Sequence, residues 1–299
     1  MNRPLLTILR ATALLLAIVL GTGVVLAQGR YTIDENWAQV PGGDWGGATS
    51  WVAPDGQGNI VVMVRTAPYF RVFTREGAFV RAWGETPEYR NAHSIIFDSA
   101  GNMWATDAGN HVVYKYNPAG EIVMTLGRFG EAGDNASTEL FNQPNHVAIA
   151  ANGDIFVSDG YGNARIVQFD ATGHFIRIIA GVQGAQEGEL QLPHGIALDS
   201  LGRLIVNDSD NKRISVFAAD GHFLEAWAYP SRGGLVVGPD DTVYVSDVNA
   251  AAVNILRNGE LLDTIEVGIR PHGLAVDADG TIYVCDARGQ KVVRITRQQ

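Results

Sequence analysis

Three of the seven histidines in this chain, His93, His194 and His272, stand at the same point of a recurring sequence pattern. When the copies are aligned on their glycine turns, the column reads Ser50, His93, Asn145, His194, Gly233 and His272, so imidazole fills every second slot. If six copies surround an axis with this column facing inward, alternate slots lie about 120° apart and the three rings converge on one axial point. Three neutral imidazoles that leave one position open are the donor set of a catalytic zinc, which polarises an oxygen bound there. Duplication of a Pro-His-Gly turn is the competing origin of these histidines, but duplication alone gives no reason for strict alternation.

Two further side chains could work with such a centre. The second strand of five copies ends in an aspartate, Asp107, Asp159, Asp208, Asp247 and Asp286, whereas the first copy has Val64 and Arg65 at that place. One aspartate per copy reads as a loop builder that accepts backbone N–H groups. Arg65 breaks the series and is a candidate clamp for an anion. Tyr161, two residues past Asp159, falls on the same rim. A metal and an arginine nearby would let it act as a base; the alternative is a ring packed over its own loop. His146 follows the aligned column by one residue, so an extended strand turns it to the other side. His174 and His222 sit in Gly-His-Phe turns and His111 in a loop, and all three read as surface residues.

What must hold these groups is a repeated all-β unit. From about residue 47 the chain cycles through short runs of β-branched and aromatic residues punctuated by Asp-Gly and Asn-Gly. Those are strand and hairpin signals, and no stretch is long enough for an amphipathic helix. The copies start near residues 47, 91, 143, 192, 231 and 270, a period that suits four-stranded blades. The reading is a six-bladed β-propeller over residues 28–299. Its last copy stops after a third strand at Val292 to Thr296, and the segment Tyr31 to Trp37 is expected to supply the fourth and close the ring. Trp37 would then do what Trp83 and Trp227 do at the ends of their own fourth strands.

Composition narrows the setting. A chain of 299 residues that is 46% hydrophobic can bury a large core as one domain. A net charge of −10 with no run of Lys or Arg argues against nucleic acid as a partner. Arg3 and Arg10 precede an apolar stretch from Ala11 to Ala27, the pattern of an export signal at 1–27 with cleavage before Gln28. An uncleaved anchor is the alternative, and both readings put the remainder outside the cytoplasm. The single cysteine, Cys285, excludes an intrachain disulfide and reads as a buried thiol.

The copies together resemble the NHL family of propellers, in the Pro-His-Gly openings and in the run Asn211 to Phe217. Phe141 to Pro144, Ile155 to Phe169 and Leu192 to Gly195 more closely resemble the catalytic domain of the peptidyl-α-hydroxyglycine α-amidating lyases. The segment Asp159 to Arg165, Asp-Gly-Tyr-Gly-Asn-Ala-Arg, is the most specific part. That resemblance implies zinc held by His93, His194 and His272, with Tyr161 as catalytic base and Arg65 as a functional arginine. It also implies an N-acyl-α-hydroxyglycine substrate, small or peptidyl, cleaved to an amide and glyoxylate. Two departures matter. A second functional arginine of the family falls on Ser209, and the aspartate that helps hold a structural calcium falls on Gly273, which leaves carboxylate binding and the calcium in question. The alternative function is a non-catalytic NHL propeller that binds a protein or glycan, for which no His–Arg–Tyr set is needed.

Overall fold

The computed structural model describes residues 19–20, 23–28, 30–229 and 233–298. Strand-forming runs dominate, and helical structure among the described residues amounts to two single 3-10 turns, Pro41–Gly43 and Ser209–Asn211. No helix there is long and apolar enough to cross a membrane. The strands form six antiparallel sheets, the six-bladed propeller that the repeats predict. In the fourth blade Pro193–Leu198 is followed by Leu204–Asp208, Arg213–Phe217 and Phe223–Ala228, each paired with its neighbour in chain order. The first strands of the other blades are Thr49–Pro54, Ala92–Phe97, Pro144–Ile149, Leu235–Val237 and Pro271–Val276. First strands contact one another from blade to blade and so line the channel.

The sixth blade takes an outer strand from the other end of the chain. Tyr31–Asp34 pairs antiparallel with Val292–Arg297, placing Ile33 opposite Ile295. A strand the repeats do not announce, Gly23–Gln28, pairs with Tyr31–Asp34 on the outside of the same sheet. The rest of the expected export signal, apart from Val19–Leu20, lies outside the described residues.

Each wedge between neighbouring blades has its own apolar cluster. Trp51, Met63 and Phe70 of the first blade meet Ile95, Met103 and Tyr116 of the second. Ile33, Val284 and Ile295 of the closing blade meet Val253, Ile255 and Ile265 of the fifth. Large aromatics lock successive wedges: Trp37 packs on Phe73 and Tyr283 and donates its indole N–H to the Arg75 carbonyl at 2.8 Å. Gly77 sits against it at φ 97°, and a Cβ there would come within 1.8 Å of the Trp37 carbonyl oxygen. Trp227 leaves no room for a Cβ at Gly259, which would come within 2.7 Å of its indole, and Trp83 packs over Gly120.

A chain starting at Glu35 should therefore leave the sixth blade with three strands and remove Ile33 from its wedge. Against a chain starting at Gln28, urea denaturation should show a loss of at least about 2 kcal/mol, the scale of one deleted buried isoleucine. Equal stability in the two chains would mean that this strand does not close the ring.

Candidate metal centre

The aligned column turns inward because five of its six members interrupt a ladder. Pairing between first and second strands shifts register between Thr49 and Trp51, Ala92 and Ser94, Pro144 and His146, Pro193 and Ile196, and Pro271 and Leu274. Ser50, His93, Asn145, His194 and His272 thus lie in bulges, a device that re-aims a side chain. The carbonyls freed from the ladder are taken up between blades. Ser50 Oγ donates to the His93 carbonyl at 2.6 Å, Thr106 to that of Asn145 at 3.1 Å, Ser158 to that of His194 at 3.1 Å and Ser246 to that of His272 at 2.6 Å. Asn207 Nδ2 does the same for Gly233 at 2.9 Å.

The imidazoles use carbonyls of the same column. Nδ1 of His93 lies 2.6 Å from the Asn145 carbonyl, that of His194 2.9 Å from Gly233, and that of His272 3.0 Å from Ser50. A carbonyl only accepts, so each Nδ1 carries the proton and each Nε2 keeps its lone pair. The three rings are buried, their centroids lie 5.0–5.1 Å apart, and one ligand atom from each falls within 4.8 Å of the others. Burial holds two of them neutral: it drives His93 far below the usual imidazole range, helped by the two neighbouring histidines and Arg65, and lowers His272 to about 4.

Tyr161 closes the mouth of this group, with its hydroxyl 2.9 Å from His93 Nε2 and 3.0 Å from His194 Nε2. Three imidazoles, each oriented by a backbone carbonyl on Nδ1, fit a metal ion, and these buried histidines could hold one. Tyr161 therefore stands over the histidines and is not folded onto its own loop.

Arg65 is half-buried at the edge of the group. Its Nη1 donates to Asn91 Oδ1 and, at 3.0 Å, to the Ala92 carbonyl beside His93. Desolvation lowers its pKa, and the phenol of Tyr161 opposes that effect. The aspartate series builds loops as expected: Asp107 Oδ1 accepts the N–H groups of Asn91, Gly109 and Asn110, and Asp247 Oδ1 those of Asn249 and Ala250. Ser209 is buried and its hydroxyl reaches Asn207 Oδ1 at 3.3 Å. His174 and His222 are exposed, and His111 Nδ1 accepts the Gln143 N–H at 3.0 Å. Cys285 is fully buried and burial pushes its thiol up, so it stays protonated.

Three contributors escaped the sequence reading. Arg165, fully buried, pairs with Asp159 at 3.0 Å and donates to the carbonyls of Asn135, Ser137 and Leu140, tying the Tyr161 hairpin to the preceding loop. Asn145 holds His93 through its carbonyl and the Gly160 N–H through Oδ1 at 2.8 Å, coupling ligand and phenol. Trp51 lies beneath the imidazoles, 5.6–6.4 Å from the three ring centroids. Its signal was available one position past the aligned column, where Trp51, Ser94, His146, Gly195, Gly234 and Gly273 follow one another.

The NHL-repeat family pattern matches residues 141–169, 190–217 and 269–295, the third, fourth and sixth blades. NHL repeat-containing protein 3 of Homo sapiens is 30% identical over 291 residues, covering 88% of this chain and 83% of that protein. A probable peptidyl-alpha-hydroxyglycine alpha-amidating lyase of Caenorhabditis elegans is 30% identical over 243 residues, 75% of this chain and 69% of its own length. Among solved structures, a streptogramin B lyase superposes with a TM-score of 0.64 over 90% of this chain and 98% of its own, at 14% identity, a likeness of fold.

Because Arg165 and Asp159 are both withdrawn from water, Arg165→Ala leaves an unpaired carboxylate and three loop carbonyls without donors. Urea denaturation should show a loss of about 3–5 kcal/mol, against about 0.5 kcal/mol or less for His222→Ala on the surface. Similar midpoints for the two variants would show that Arg165 does not anchor the hairpin.

Proposed function

This chain belongs to the NHL-repeat propeller family that includes NHL repeat-containing protein 3 and the peptidyl-α-hydroxyglycine α-amidating lyases, and from that we propose that it is a zinc-dependent carbon–nitrogen lyase. The substrate is an N-acyl-α-hydroxyglycine or a close relative, and the products are an amide and glyoxylate. The observation that carries this reading is the Tyr161 hydroxyl within 3.0 Å of two of the three converging Nε2 atoms, a base beside a Lewis-acid site.

His93, His194 and His272 hold the zinc, which when bound supplies positive charge to the substrate oxygen. Arg65 faces the same space and pairs with the substrate carboxylate. The phenolate of Tyr161, favoured by positive charge on both sides, takes the proton of the substrate hydroxyl. The electron pair left on that oxygen forms the C=O of glyoxylate as the C–N bond breaks. The departing nitrogen recovers the proton from Tyr161, so the base is regenerated and no oxidant is consumed. Ser209 supplies no guanidinium, which leaves the carboxylate to Arg65.

The second reading, a propeller that binds a protein or glycan without catalysis, is left open by the match to NHL repeat-containing protein 3, which covers more of this chain than the lyase match does and whose name carries no activity. The two readings part on one assay. Zinc-loaded protein should release glyoxylate from an N-acyl-α-hydroxyglycine, and Tyr161→Phe should lose about 10²- to 10⁴-fold in rate with its zinc retained. His93→Ala, His194→Ala or His272→Ala should lose the metal, and Arg65→Ala should raise KM. Wild type that holds zinc and yields no glyoxylate across several acyl groups would replace the lyase reading with the binding one.

We also propose export, on the Arg3–Arg10 head and the apolar stretch to Ala27. N-terminal sequencing of the mature protein should begin at or near Gln28. Met1 retained on protein extracted from membranes would favour the anchor instead.

A further inference from the structure

The space under the three histidines is filled by protein. Trp51 is 1% exposed and its indole is ringed by four imidazoles, with centroids 5.9, 6.4 and 5.6 Å from His93, His194 and His272 and 4.5 Å from His146. His146 is buried too, and its Nδ1 lies 3.0 Å from the Ile196 carbonyl. Beyond this pair the channel opens into a separate cavity of about 610 Å³ whose walls include Ile95, Ala148, Ile196 and Leu274.

Glycines make room for the indole. A Cβ at Gly273, next to His272, would lie 2.6 Å from Trp51 Cα and 2.7 Å from its Cδ2, and one at Gly234 would lie 3.0 Å from its Cη2. The first two approaches are closer than non-bonded carbons tolerate, and the Trp51 Cα cannot move aside without breaking its strand. An aspartate at position 273, the residue type that would help hold a calcium there, would meet the Ser50 carbonyl oxygen at 2.6 Å as well as the Trp51 backbone and indole, and so does not fit this floor.

We propose that Trp51, backed by His146, is the floor of the metal centre in this chain and stands in place of a structural calcium, leaving a one-metal propeller closed on one side. The inference rests on reading the three histidines as a metal site, and Trp51 acts in it as a positioning residue: it fixes the height of three rings without touching the metal. An indole needs no ion to stay in place, so the centre keeps its shape when calcium is removed. Substrate and products must then pass through the mouth that Tyr161 and Arg65 line.

Metal analysis and melting of the full mature chain test this. Wild type should carry about one zinc after loading and no stoichiometric calcium, and neither calcium nor a calcium-selective chelator should move its melting temperature. Trp51→Ala should weaken zinc about 10- to 100-fold and alter the visible spectrum of the cobalt-substituted site, and Trp51→Phe should recover most of both. Calcium retained one per chain through chelation, or a Trp51→Ala cobalt spectrum and zinc affinity equal to wild type, would overturn the proposal while leaving the zinc site intact. Wild type that takes up neither zinc nor cobalt would remove the metal reading and this one together. The calcium measurement needs no variant, so a misfolded Trp51→Ala still leaves the proposal exposed to failure.

Discussion

A belt of hydrogen bonds around the channel governs everything built at its mouth. In a plain ladder the first-strand carbonyls would be spent on the second strand of the same blade. Here the bulges release the carbonyls of His93, Asn145, His194 and His272, and each is answered by a hydroxyl from the blade before it. Buried carbonyls must be satisfied, so these bonds fix the angular position of each blade relative to the next. Carbonyls of the alternate column residues, Asn145, Gly233 and Ser50, orient the imidazoles through Nδ1. Blade packing and ligand geometry are thus one problem with one solution, and ring closure by Tyr31–Asp34 is part of it, since a sixth blade free to move would carry His272 with it.

The electrostatic setting follows from burial more than from charge pairing. Imidazoles withdrawn from water cannot afford a proton on Nε2, and Arg65 together with their own crowding adds to that pressure. Neutral rings are what a cation needs as ligands. The aspartates, by contrast, point away from the axis into loops, where N–H groups surround them. An acidic chain has in this way kept these carboxylates away from the three histidines.

Much of this was legible before any coordinates. Propeller architecture follows from period and turn chemistry, and the inward column follows from aligning six copies, because repetition converts a one-dimensional pattern into angles. The loop aspartates and the closing strand were readable for the same reason. What could not be read is whatever depends on contacts between copies. Arg165 looks like one more basic residue until the carbonyls of Asn135, Ser137 and Leu140 are seen around it. Asn145 fills a slot that holds no histidine, and only the fold shows its carbonyl and amide serving two neighbours. The residue before each loop aspartate, Thr106, Ser158, Asn207 or Ser246, carries a signal that was overlooked: a small hydrogen-bonding side chain in a strand otherwise buried and apolar. Cys285 takes that place in the sixth blade, which explains a buried sulfur better than any reactivity does.

Alternation of histidine with other residues can now be given a physical reason. Each imidazole needs a proton acceptor on Nδ1, and the acceptor it uses belongs to the column residue of the next blade. With three rings the centroids already approach to 5.0 Å, toward the short end of the spacing that aromatic rings adopt. A fourth imidazole in the slot of Ser50, Asn145 or Gly233 would have to enter that same space. The intervening slots therefore take residues whose side chains are small or bend away, and whose backbone does the work. Three ligands is then the largest number that six slots can aim at one point while each ligand is still held by its neighbour, and three is also the number that leaves a position open for chemistry.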